Sequence, residues 1–220
     1  MTITQQLRER YRDGLPAVPW RLLSLPIERG YPVPWFVAQV DGKYDFRIIE
    51  PGKVETAVTQ RLCWICGKPL GSYLAFAIGP MCAINRTSGE PPAHRDCADW
   101  SARACPALTQ QQHKRRDGNI PEEATMSEYG LRRLPGVTLV WITRSYRPLA
   151  TPDGGVVFKI GDPTATVWYR EGRPATRAEV LESIDAGYPS LLAMAEEDGP
   201  DAVQMLAAWR SRAMVLVPNE

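Results

Sequence analysis

Outside the stretch from Arg61 to Cys105 the sequence has no cysteine, and His113, the one histidine beyond it, has no Cys or His at ligand spacing. The clustering of all 5 cysteines of the 220 residues calls for a local cause. Their odd number argues against a disulfide framework, and residues Met1 to Gln6 open no apolar leader core, so a reducing, cytoplasmic setting is expected. Long hydrophobic runs are missing too. None approaches the roughly eighteen apolar residues of a membrane-spanning helix, so no membrane partner is expected. Neither sign of charge is in excess: 26 Lys+Arg stand against 25 Asp+Glu, a formal net charge of +1, which gives no global pull toward DNA, RNA or acidic lipid. Also absent are the phosphate-binding G-x-x-x-x-G-K-[ST], the dinucleotide G-x-G-x-x-G, the nucleophile elbow G-x-S-x-G and the metalloprotease H-E-x-x-H.

What is present in quantity is proline, 20 residues, beside 17 glycines. Such a chain favours turns and extended segments over a helical bundle. From Leu15 to Pro34 five prolines exclude helix interiors and suggest an extended wrap anchored by Trp20, Leu22, Leu23 and Leu25. Trp35 to Val40 and Tyr44 to Glu50 then read as a hairpin, with Asp41-Gly42 as the turn signal. Strand alternation sets Asp45 and Arg47 on one face, either an exposed ion pair or a small anion-handling site.

The cysteine-bearing segment carries a C-x2-C pair, Cys63 and Cys66, and an H-x2-C pair, His94 and Cys97. Two pairs supply the four ligands of one tetrahedral Zn²⁺ site, and Gly67 allows the left-handed turn that lets two thiolates converge. Pro91-Pro92 ends an extended run before a helix over Ala93 to Arg103, whose first turn carries the second pair beside free N–H groups. Between the pairs, Ser72 to Ile78 and Met81 to Asn85 flank Gly79-Pro80 and suggest a β-hairpin. Cys82 would then lie beside the knuckle, where it is an alternate ligand able to replace one of the four; Cys105 follows the helix as a buried, inert thiol.

The order knuckle, hairpin, helix resembles the treble-clef zinc finger, in which a C-x2-C-G knuckle gives two ligands and the start of a following helix gives two more. The resemblance covers about a fifth of the chain and implies a structural zinc, not one activity. The chain as a whole, rich in Pro and Trp around an embedded zinc module, is also similar to phage and actinobacterial proteins. Nuclease chemistry of the HNH kind, found on some treble clefs, needs histidines that the segment from Ser72 to Asn85 lacks. The zinc deaminase pattern H-x-E with P-C-x-x-C is absent as well.

Residues 109–127 are polar and read as a linker, in which His113-Lys114-Arg115-Arg116 is balanced by Asp117, Glu122 and Glu123. The expected organisation is an N-terminal β-hairpin region over 1–108 with the zinc module at 63–105, the linker, and a C-terminal α+β unit over 128–220. In that last unit, Val137 to Thr143, Val156 to Ile160 and Thr166 to Tyr169 suggest a three-stranded meander. A capping box at Thr176 opens a helix that stops at Gly187, followed by helices over Pro189 to Glu197 and Asp201 to Leu216. The fold class expected is α+β: small antiparallel sheets, an embedded treble-clef zinc module and a C-terminal helical segment.

With four protein ligands the metal has no open position for chemistry, so the functional reading is a zinc-stabilised binding or adaptor protein. Its partner is nucleic acid, contacted through Arg86, Arg95 and Arg103, with Lys68, or a protein, anchored by aromatics such as Trp64 or Trp100. The alternative is a small nucleotide- or nucleic-acid-processing enzyme with its site near Asp45 and Arg47.

Overall fold

A computed structural model of the protein describes residues 11–110, 125–126, 136–152 and 154–220. Within it the segment Thr138–Thr143 is a strand with every side chain buried, which requires cover on both faces. Leu139 and Trp141 go to one side, Val140 and Ile142 to the other, as the pleat dictates. The molecule is built as two packed layers on either side of this strand.

In chain order the first half forms β1 (Ile27–Glu28), β2 (Tyr31–Pro32), β3 (Val37–Val40), β4 (Lys43–Ile49), α1 (Lys53–Thr59), β5 (Leu74–Ile78), α2 (Pro80–Asn85), β6 (Thr87–Ser88), α3 (Arg95–Ala104) and α4 (Pro106–Thr109). The second half adds β7 (Thr125–Met126), β8 (Thr138–Thr143), β9 (Tyr146–Ala150), β10 (Val156–Ile160), β11 (Pro163–Arg170), β12 (Arg173–Pro174), α5 (Arg177–Asp198) and α6 (Pro200–Met214). The class is α+β, with small antiparallel sheets and a helical C-terminal segment. Among the described residues no helix is long and apolar enough to cross a membrane.

The central sheet runs β12-β11-β8-β5, antiparallel throughout. One face packs Phe76, Trp141 and Trp168 against Ile84 of α2, Val180 and Ile184 of α5, Leu206 of α6 and Phe158 of β10. The other packs Ala75, Val140, Ile142 and Tyr169 against Ala98 and Ala102 of α3, with Leu22 from the proline-rich segment. Trp20 is no anchor of that segment, being 62% exposed; the 3-10 turn over Trp20–Leu22 turns it outward and Leu22 inward.

The β3/β4 hairpin forms as the sequence predicts, with Asp41 and Gly42 both at positive φ (51° and 74°), the twist a two-residue turn needs. The three-stranded meander does not. β8 pairs with β11 and with β5, whereas β10 pairs with β6 and with β9, a strand absent from the expected meander and carrying Pro148 at the sheet's edge. Both sheets thus take strands from either side of the polar segment 109–127. Most of that segment, with His113 to Arg116, lies outside the described residues; Thr125–Met126 pairs with β4.

Two further corrections concern helices. Met81 to Asn85 is not a second hairpin strand but most of α2, with Pro80 at its first position, where a missing N–H costs nothing. A short apolar run carries no period long enough to separate strand from helix, so Pro80 decides. Gly187 does not stop the capped helix either: α5 continues through it and Pro189 to Asp198. A Cβ at Gly187 would lie 3.0 Å from the Met81 sulfur, so this glycine serves close approach of α2 to α5. The capping box itself is present, Thr176 accepting from the Glu179 N–H and Glu179 accepting from Thr176.

α3 is tied to the sheet by the Tyr169 hydroxyl, which donates to Asp99. Burial, then the Asp99 carboxylate, push the phenol up to about 12. A phenol raised above its ordinary value near 10 stabilises the fold fully below that value, and the contribution is lost as pH climbs toward about 12. Tyr169→Phe should therefore flatten the alkaline limb of a stability-against-pH curve between those values while leaving the neutral-pH slope unchanged. An alkaline limb identical to the parent's in denaturant titrations would exclude this role.

Candidate metal centre

The two ligand pairs reach one point through three local devices. First, residues 61–70 fold back on themselves: Leu62 bridges Pro69, the Cys63 N–H donates to Lys68 O (2.8 Å), and Gly67, at φ +70°, donates to Cys63 O (2.8 Å). The result is a tight knuckle that presents both sulfurs on its inner side. Second, Ala93 extends the exposed edge of β5 by exchanging both backbone bonds with Ala75 (2.9 and 2.8 Å). This fixes the residue before His94 to the central sheet, and Trp64 N–H to Pro92 O (3.0 Å) ties the knuckle to the same run. Third, His94 is the N-cap of α3, with extended backbone, and Cys97 lies in its first turn.

Cys63, Cys66, His94 and Cys97 are all buried, and their ligand atoms lie within 4.8 Å of one another. His94 Nδ1 is 3.4 Å from the Cys66 sulfur and 4.0 Å from that of Cys97. A tetrahedral ion with ordinary Zn–S and Zn–N bonds would hold its ligand atoms about 3.6–3.8 Å apart, so the pocket has the size such an ion needs. The other ring nitrogen, Nε2, faces Pro69 O at 3.0 Å. Donating its hydrogen there leaves the Nδ1 lone pair aimed at the sulfurs, the arrangement in which a backbone acceptor orients a histidine ligand. The backbone also serves the sulfurs: His94 N–H (3.3 Å) and Cys66 N–H (3.5 Å) both approach Cys63 Sγ. Gly67 shapes the turn, but these two other amides meet the sulfur.

Crowding three thiols and an imidazole splits their proton affinities. Cys63 and Cys97 hydrogen-bond the Cys66 sulfur and hold its pKa low, while Cys97 is pushed up by Cys63 and Cys66. His94 rises to about 10, chiefly through Cys63. Groups that stabilise positive charge on an imidazole stabilise a metal cation in its place, so the donor set fits a soft-leaning divalent ion such as zinc.

Cys82 does not join this cluster. It sits in α2 and packs in the core on the opposite face of the central sheet, where burial pushes its thiol up. The same correction that turns Met81 to Asn85 into a helix thus removes the alternate ligand. Cys105 caps α4, its thiol also raised by burial.

The arginines Arg86, Arg95 and Arg103 are not brought together. Arg95 and Arg103 lie on α3, Arg103 within 3.6 Å of Asp99. Arg86 ends α2 across the sheet, over the Trp141 ring (5.7 Å) and bonded to Asp162 (2.7 Å). Trp64 and Trp100 are core residues, Trp64 stacked on Phe36 at 4.5 Å and Trp100 donating to Pro16 O. Asp45 and Arg47 face each other at 2.5 Å, and the Arg47 hydrogen bond holds the carboxyl below its usual value.

In one surface group the sequence marks Lys68 as a phosphate contact but sets Trp20 in the core. Trp20, though exposed, lies between two cations, Arg21 (4.5 Å) and Lys68 (4.6 Å), the second of them in the knuckle. Only the return of the proline-rich segment over the module joins residues so far apart in sequence. Comparison with protein-family models, with curated proteins and with solved structures finds no match for this chain.

Proposed function

We propose that Cys63, Cys66, His94 and Cys97 hold one Zn²⁺ as a structural ion, and that the chain is an adaptor that binds single-stranded nucleic acid beside this module. The closed donor set carries the first half: four protein ligands in a buried pocket leave the ion no position for substrate, so its work is to lock knuckle, β5 edge and α3 together. The second half rests on the Trp20 group. The exposed Trp20 indole, with Lys68 over its ring, brings an aromatic surface and a positive charge to one place, while Arg21 beside it is held by Asp96 (2.7 Å). This replaces the scattered arginines as the contact surface. The enzyme alternative gains no support, since Asp45 and Arg47 are engaged with one another.

Purified under reducing, chelator-free conditions, the protein should carry close to one zinc per chain. It should bind short single-stranded oligonucleotides with affinity that falls steeply as salt rises. Trp20→Ala and Lys68→Ala should each weaken that binding, the former by about 1–3 kcal/mol, without altering zinc content. Zinc-free protein that melts normally would remove the metal reading. Binding that ignores salt and both substitutions would remove the nucleic-acid reading and point to a protein partner.

A further inference from the structure

Across the central sheet from the metal centre, α2, the start of β11 and the last turns of α6 enclose an open cavity of about 230 Å³. Ile84 and Leu216 form its apolar floor, the indoles of Trp141 and Trp209 stand in its wall, and Arg86 and Arg212 supply its basic groups. The Arg86 guanidinium is only partly satisfied: one NH2 group donates to Asp162, while its Nε is buried without a hydrogen-bond partner. Arg212 is exposed and, among the described residues, has no ion-pair partner. Lys159 lies over the Trp209 ring (4.6 Å), and burial, with Arg86 and Arg147 nearby, pushes its ammonium pKa down. Like charges close enough to disfavour one another mark a place where an anion is welcome. Asp162, whose side chain is 92% exposed, is the sole acidic residue in the lining.

We propose that this cavity binds a nucleoside monophosphate unit, its base against the half-buried Trp209 and Leu216 and its phosphate between Arg86 and Arg212. Two guanidiniums suit a phosphate better than lysines would, because each can present paired N–H donors. The apolar lining around Trp209 and Leu216 suits a flat ring, and the open mouth leaves the sugar free to continue into a strand. The unit is therefore either a free nucleotide or the end of a nucleic-acid strand. On binding, the phosphate takes the place that Asp162 holds at Arg86.

The competition with Asp162 gives a test with effects of opposite sign. Titration calorimetry of the full-length, metal-loaded chain would use AMP, adenosine, inorganic phosphate, and a short oligonucleotide with either a 5′-phosphate or a 5′-hydroxyl. AMP or the 5′-phosphorylated strand should bind at least about tenfold more tightly than adenosine or phosphate alone. Arg212→Ala should weaken that binding about tenfold, and Asp162→Asn should tighten it about threefold by freeing Arg86. Both positions are exposed, so melting temperatures should stay near the parent's. A preference for the 5′-phosphorylated strand over AMP assigns the strand end; the reverse assigns the free nucleotide. No binding of AMP or of the phosphorylated strand at millimolar concentration overturns the proposal, as does binding that both variants leave unchanged. Because Trp20 and Lys68 lie on the far side of the sheet, their substitution should not alter this titration.

Discussion

Cys97→Ser is expected to leave no cooperatively folded protein at room temperature, whereas Cys105→Ser and Cys82→Ser should melt within reach of the parent. Cys97 is fully buried at the junction of α3, the knuckle and the β5 edge, and its sulfur shares the pocket with Cys63, Cys66 and His94. Removing it subtracts one of four ligands. Structural zinc is worth on the order of 10 kcal/mol in small domains, comparable to the whole stability of a typical domain, about 5–15 kcal/mol. The polypeptide around the site has less to fall back on than the opposite layer, since Ala75, Ala93, Ala98, Ala102 and Ala104 of this core bury little apolar area each. Cys82 and Cys105 have only packing to lose, and a buried hydroxyl in place of each thiol should cost about 1–3 kcal/mol. Circular-dichroism melts of the three variants, with zinc release followed in parallel, decide the matter. A Cys82→Ser variant as damaged as Cys97→Ser, or a Cys97→Ser variant that melts like the parent, would mean that the ion is held by another set or contributes nothing.

How much of this was legible in the sequence follows from the range over which each determinant acts. The cluster of Cys63, Cys66, His94 and Cys97 was readable because thiolate and imidazole spacing within a knuckle or a helix turn is a local property: C-x2-C and H-x2-C name the residues without any knowledge of the fold. The capping box at Thr176 and the Asp41-Gly42 turn were readable for the same reason. Strand pairing was not. β5 and β8 are each apolar enough to sit in the middle of any sheet, and nothing in residues 74–78 says that their partner begins at Thr138. Met81 to Asn85 is too short for its period to speak, and Gly187 looked like a terminator because its use, making room for Met81, depends on a helix far away in sequence. Both groups proposed as binding surfaces, Trp20 with Lys68 and Arg86 with Arg212, are likewise products of tertiary approach. The arginines singled out from sequence fell on opposite faces of the sheet because neighbours along the chain need not be neighbours in space.

Gly67→Ala should cost about 2–4 kcal/mol and loosen the metal. Two causes add at this position. The residue after Cys66 has φ +70°, a conformation in which any side chain but glycine's is strained, and that backbone is what lets Gly67 donate to Cys63 O at 2.8 Å and close the knuckle. A methyl group there would also stand 2.6 Å from two atoms of the Trp35 indole, whose ring is covered by Lys53 at 4.1 Å and whose residue is tied by its backbone N–H to Ile65 O (2.8 Å). The Trp35 main chain cannot withdraw from Gly67 without pulling on Ile65, the residue between the two knuckle cysteines. The two causes separate in a double-mutant cycle: in a Trp35→Ala background the steric part disappears and only the backbone strain, about 1–2 kcal/mol, should remain. Zinc affinity, measured by competition with a chromophoric chelator, should follow the same order, lowest in Gly67→Ala and partly restored in the double variant. Full additivity of the two substitutions would show that Trp35 does not press on the knuckle, and a Gly67→Ala protein with parental zinc affinity would show that the left-handed turn is not what aligns the sulfurs.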